Sequence, residues 1–149
     1  MNKNWINNIK ENGFHIQKSY FSKEYINKLN LISNNILKLE KKFNYIGLGN
    51  QSRRNGNIFT SNLMFKNNIF INLIVNNNLL SIPDCFLEKY NLSEYKIITS
   101  YKFEDFKYWW HTDYPYNLND KLKSVNIGIL IPLIDFNENV GSTSYIPKS

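Results

Sequence analysis

The sequence predicts an α+β fold with a helical first half packed against a β-rich second half, the strands closing as a barrel or double-sheet jelly roll. Three observations predict it. Residues 21–43 place apolar side chains at helical spacing, and residues 94–147 break into short apolar runs separated by turn residues. The chain also has 149 residues, of which 42% are hydrophobic and 15% aromatic, enough to bury a core in one domain spanning 1–149.

The elements follow in chain order. "NWINNIKENG" reads as a short helix, with Trp5, Ile6 and Ile9 on one face and Gly13 as its C-terminal cap. "FHIQKSY" alternates and predicts a strand, with Phe14 and Ile16 turned inward and His15 toward water as an ordinary surface residue. "FSKEYINKLNLISNNILKLEKKF" is the clearest helix. Ser22 is its N-cap, and Ile26, Leu29, Ile32, Ile36 and Phe43 share a face.

"NIFTSNLMF" predicts a strand. "SIPDCFLEKY" predicts a helix capped by Ser81, with Pro83 in its first turn. "EYKIITSYKF", "KYWWHTD", "SVNIGILIPLIDF" and "STSYIP" predict further strands, and "NENVG" a turn.

Composition narrows the class. The net charge of +6 arises mainly from scattered Lys amid abundant Asn, Ile, Tyr and Phe. That mixture reflects skewed codon usage, and the basic spots "KLEKK" and "SRR" are short, so nucleic acid is not expected as a partner. Cys85 has no second cysteine to pair with. It fits a reducing compartment as a small core residue. No signal-like or membrane-length apolar segment is present, so a cytoplasmic location is expected.

The densest chemistry lies in "YWWHTDYPY" at 108–116. On a strand, residues i and i+2 face the same way, so His111 and Asp113 would present an imidazole and a carboxylate together. Those are two of the three donors of the facial triad that holds non-haem Fe(II). The same triplet also suits a strand histidine hydrogen-bonded to a neighbouring carboxylate. Trp109 and Trp110 suit core or rim packing.

In order along the chain, "ENGFHIQKSYFSKEYINKL", "WHTDYPY" and "VNIGILIPLIDFNENVGSTSYIPKS" resemble the phytanoyl-CoA dioxygenase family of 2-oxoglutarate/Fe(II) oxygenases. The resemblance spans nearly the whole chain. It implies a double-stranded β-helix (jelly-roll or cupin-like) core with N-terminal helices, incomplete at the C-terminus. It implies Fe(II) as cofactor, 2-oxoglutarate as co-substrate, and hydroxylation of a small-molecule or lipid-like substrate. His111 and Asp113 would be the metal ligands, with the carboxylate favouring hydroxylation over halogenation. Lys102, Ser124 and Asn126 are candidates near the co-substrate, although a solvent-facing Lys and ordinary strand polar residues serve equally. Trp110, Tyr114 and Tyr116 are candidates for the substrate entrance, or for aromatic packing.

Three departures stand out. Val140 lies between Asn139 and Gly141 where the family has Asn-Gly, and Lys148 replaces the Gly after Pro147. The family's distal His would follow Ser149, and its co-substrate Arg would lie further on. The 149 residues are therefore expected to be the N-terminal part of such an enzyme and inactive alone. The alternative is a non-catalytic binding or interaction module on the same fold.

Overall fold

A computed structural model describes residues 4–42, 51–54, 57–100, 110–111 and 126–148. The chain forms two compact units, one comprising Met1–Leu31 with Ile131–Ser149, the other Ile32–Leu130.

The first unit opens with α1, Asn4–Asn12. Its apolar residues Trp5, Ile6 and Ile9 are half-buried together with Asn8 and Asn12, and Asn4, Asn7, Lys10 and Glu11 are exposed. Gly13 stops it: at φ +83° its amide donates to the Ile9 carbonyl, a left-handed closure that a Cβ would disfavour. Helix α2, Lys23–Lys42, begins where Ser22 predicts, the Ser22 hydroxyl accepting from the Tyr25 amide at 3.2 Å. Glu24 sits in the first turn. Its carboxyl is held below the usual value, first by its own backbone N–H and then by the Ser22 hydroxyl. Tyr20, Phe21 and Tyr25 form a ring chain with centroids 4.8 and 5.2 Å apart. The Tyr20 hydroxyl is buried without a hydrogen-bond partner among the described residues, and burial raises its pKa.

The predicted strand at 14–20 is absent. Left-handed backbone at Gly13 and at Ser19, φ +53°, reverses the chain on both sides, leaving too short a span for a ladder. Ile16, expected to turn inward, is 66% exposed, whereas His15 is half-buried. Near the other end, the Lys148 amide donates to the Asn12 carbonyl at 3.1 Å. Tyr145 stacks on Phe14 with centroids 5.0 Å apart. These contacts tie "STSYIP", predicted as a strand, to the end of α1 as irregular chain.

The second unit is built on a three-stranded antiparallel sheet of order β1-β2-β3: Gln51–Arg54, Asn57–Thr60 and Ile97–Ser100. Thr60 pairs with Gln51 on one side and Ile97 on the other. Alternation along β2 buries Ile58 and Thr60, and along β3 it exposes Ile98 and Ser100. Beyond β2 the chain makes a 3-10 turn, Leu63–Phe65, with Leu63 fully buried.

Helix α3, Asn68–Ile74, and helix α4, Asn77–Asp84, follow. Each is capped by asparagine: Asn67 accepts from the Ile69 amide, and Asn76 from those of Asn78 and Leu79. Ile69, Phe70, Leu73 and Leu79 bury their side chains. Tyr95 meets the Phe70 ring edge-on, and its hydroxyl donates to the Phe70 carbonyl at 3.1 Å.

The helix predicted to start after Ser81 starts instead at Asn77 and ends at Asp84. Asn76 caps it earlier and recruits Leu79 and Leu80, Ser81 donates its hydroxyl back to the Asn78 carbonyl, and Pro83 stands next to the final residue. Cys85, expected in the core, is the exposed C-cap of α4.

The described strands all lie between 51 and 100, and among the described residues no double-stranded β-helix is present. The described part of "SVNIGILIPLIDF", residues 126–136, predicted as a strongly apolar strand, forms no ladder among the described residues. Pro132 removes a donor from its centre and Gly128 weakens it, so the sequence pattern alone does not hold it in a sheet. The predicted turn "NENVG" is present as a 3-10 turn at Glu138–Val140, closed by left-handed Gly141 at φ +75°.

Glu40 of α2 is buried and paired with Lys66, itself only 15% exposed. Lys66→Met should lower unfolding free energy by about 3 kcal/mol in urea titrations, because a buried carboxylate loses the cation paired with it. Adding Glu40→Leu should restore much of that loss. By the same logic, Tyr20→Phe should leave stability unchanged or raise it by about 1 kcal/mol.

Candidate functional site

Of the residues singled out for chemistry, His111, Trp110 and Asn126 are described, and all three are solvent-exposed. Trp110 is 68% exposed, which removes it from the core. Trp110 and His111 stand on irregular backbone, so the strand alternation invoked for them does not apply to the described part of "WHTDYPY". Asp113, Tyr114, Tyr116, Lys102 and Ser124 lie outside the described residues, as do Trp109 and Ser149. The structure therefore places one expected metal ligand, His111, at the surface. Among the described residues no group of three or more His, Cys, Asp or Glu side chains could hold a metal ion.

The second histidine lies in a shallow cleft of the first unit, about 270 Å³, with Asn8, Asn12, Phe14 and Ile16. Asn8 Nδ2 lies 3.2 Å from His15 Nδ1, and His15 Nε2 lies 3.4 Å from Gln17 Oε1. Taken as a donor from Asn8, that pattern fixes the proton of neutral His15 on Nε2. Both ring nitrogens are engaged, so His15 is a positioned structural residue rather than a spare ligand. The alternation reading missed this because it assumed a strand. The signal that could have found it is Asn8, an amide side chain seven residues before His15.

A second cleft, about 220 Å³, lies in the larger unit where β2 and β3 diverge. Serines, Glu94 and Lys96 line it, none of which the sequence reading singled out. Elsewhere the Tyr90 hydroxyl donates to Asp84 at 2.6 Å, and that bond, more than any other influence, raises the Tyr90 pKa.

No family model, curated protein or solved structure matches the chain. No helix among the described residues is long and apolar enough to cross a membrane.

The two histidines should differ in reactivity. His111 is exposed, whereas His15 is half-buried with both ring nitrogens hydrogen-bonded, so diethyl pyrocarbonate should modify His111 several-fold faster. Peptide mass spectrometry after brief treatment measures the ratio. Equal rates would contradict the exposure difference.

Proposed function

We propose that this chain carries part of the iron site of an Fe(II)/2-oxoglutarate-dependent hydroxylase of the phytanoyl-CoA dioxygenase type, acting on a small-molecule or lipid-like substrate. One observation carries the reading: "WHTDYPY" at 110–116 precedes "VNIGILIPLIDFNENVG" at 125–141, in the order and spacing of that family. Three local features support it. The N-terminal helix ends on left-handed Gly13, the following helix is capped by Ser22, and the acidic turn closes on left-handed Gly141. The first two fall in the opening that resembles the family, and the turn keeps its Gly despite the inserted Val140.

The donor chemistry fits the metal. Imidazole and carboxylate are the ligand types that this iron takes, and His111 is exposed. When bound, Fe(II) would supply oxygen-dependent oxidation of a C–H bond, coupled to decarboxylation of 2-oxoglutarate. The chain's own residues have simpler tasks. Neutral His111 would donate a ring-nitrogen lone pair, and Asp113 would offset part of the positive charge. Ligation requires both to be deprotonated, so metal binding should weaken as the solution is acidified. Lys102 would offer its ammonium to a co-substrate carboxylate, with Ser124 and Asn126 as hydrogen-bonding neighbours. Trp110, Tyr114 and Tyr116 would border the substrate entrance.

The test uses the protein expressed from its whole reading frame. Succinate release from 2-oxoglutarate with Fe(II) and ascorbate should be lost in His111→Ala and in Asp113→Ala. Fe(II), or Co(II) as a probe, should also protect His111 from diethyl pyrocarbonate. Turnover that survives both substitutions would overturn the ligand assignment. A folded protein that binds no Fe(II) would favour the non-catalytic module.

A further inference from the structure

We propose that the cleft between the Ser61–Met64 turn and the Leu92–Lys96 segment binds a small neutral polyol, of which a monosaccharide is the type ligand. The cleft measures about 220 Å³, room for about seven waters at roughly 30 Å³ each. That suits a single sugar ring and is small for a nucleotide or a long acyl chain.

Its chemistry selects for hydroxyl groups. Glu94 and Lys96, two residues apart on one lining segment, are ion-paired, with side chains 68% and 29% exposed. As a pair they are neutral. An anionic ligand meets the carboxylate as soon as it meets the ammonium, and a cationic ligand meets the reverse. A ligand with adjacent hydroxyls satisfies both, one donating to Glu94 and its neighbour accepting from Lys96. Ser61 and Ser93 each add a donor and acceptor, and Met64 and Leu92 give an apolar wall for a C–H face.

The site is held in place before any ligand arrives. Thr60 and Ile97 form the last rung of the β2–β3 ladder, so both lining segments leave from one fixed point. Asn62 at φ +58° turns the first segment away from the sheet, and fully buried Leu63 anchors it. Tyr95 is pinned by its bond to the Phe70 carbonyl, and Lys96 lies 5.1 Å from the Phe59 ring centroid. Groups fixed by packing and hydrogen bonds lose little freedom on binding. For a ligand of sugar size in an open cleft the dissociation constant should be on the order of millimolar.

The experiment is a ¹H–¹⁵N spectral titration of the 149-residue chain with D-glucose, D-galactose, D-mannose and glycerol. Inorganic phosphate and ethanolamine serve as charged controls. At least one sugar should shift the amides of Ser61 and Ser93–Lys96 saturably. Glu94→Gln combined with Lys96→Met should weaken that binding about tenfold, as expected for one lost charge-assisted contact. Both side chains reach solvent, so cross-peaks of Ile69, Phe70 and Leu73 should stay in place and report an intact fold. Absence of saturable shifts with every polyol up to about 50 mM, far above the expected constant, would overturn the proposal. Tighter binding of phosphate or ethanolamine, or sugar shifts unchanged in the double variant, would overturn it equally. The outcome is independent of iron and of His111.

Discussion

The larger unit depends on β2 having a strand on each side. Four residues long, it is the only described strand whose edges are both occupied, and its inward residues Ile58 and Thr60 are among the most buried in the chain. A lone hairpin is marginal in water, and a third strand with a covered face gives the pairing its stability. The register then propagates outward. Thr60 opposite Ile97 sets where the chain leaves the sheet, and so where Leu63 and Tyr95 enter the interior. Phe70 and its neighbours on α3 pack against that arrangement through Tyr95.

The buried ion pair works differently from this apolar scaffold. Glu40 and Lys66 are far apart in sequence, and each costs desolvation energy that the other's proximity helps to offset. The pair adds little net stability over apolar residues of similar size. It does penalise any arrangement in which α2 and the turn after Phe65 do not meet. Such a contact discriminates between packings.

The helices were legible where local rules decide them. Gly13 and Ser22 mark boundaries by backbone geometry and a hydroxyl acceptor, and both were read correctly from single residues. Leu29 was legible by spacing and is 2% exposed. Reading failed where a partner strand was required. Phe14–Ile16 and Ile127–Phe136 carry strand-like patterns, but alternation describes a chain that has a neighbour and cannot supply one. At α4 two caps competed, and Asn76 prevailed over Ser81 because it brings two leucines into the helix. Of the expected metal-ligand pair, His111 is exposed and Asp113 lies outside the described residues, so the pair is legible in the sequence alone. The polar cleft beside β3 was not legible, since its residues are common types joined only by the register.

Asparagine appears in these caps with a regularity that bears on how the chain tolerates change. Asn67, Asn76 and Asn137 each use the side-chain oxygen to accept from the amide two residues on. An aspartate offers the same oxygen in the same place and adds a negative charge where helix amides point outward. Asn-to-Asp drift at these positions can therefore carry the net charge down from +6 while leaving every boundary where it is. The fold reads the acceptor oxygen and is indifferent to whether a nitrogen or a second oxygen stands beside it.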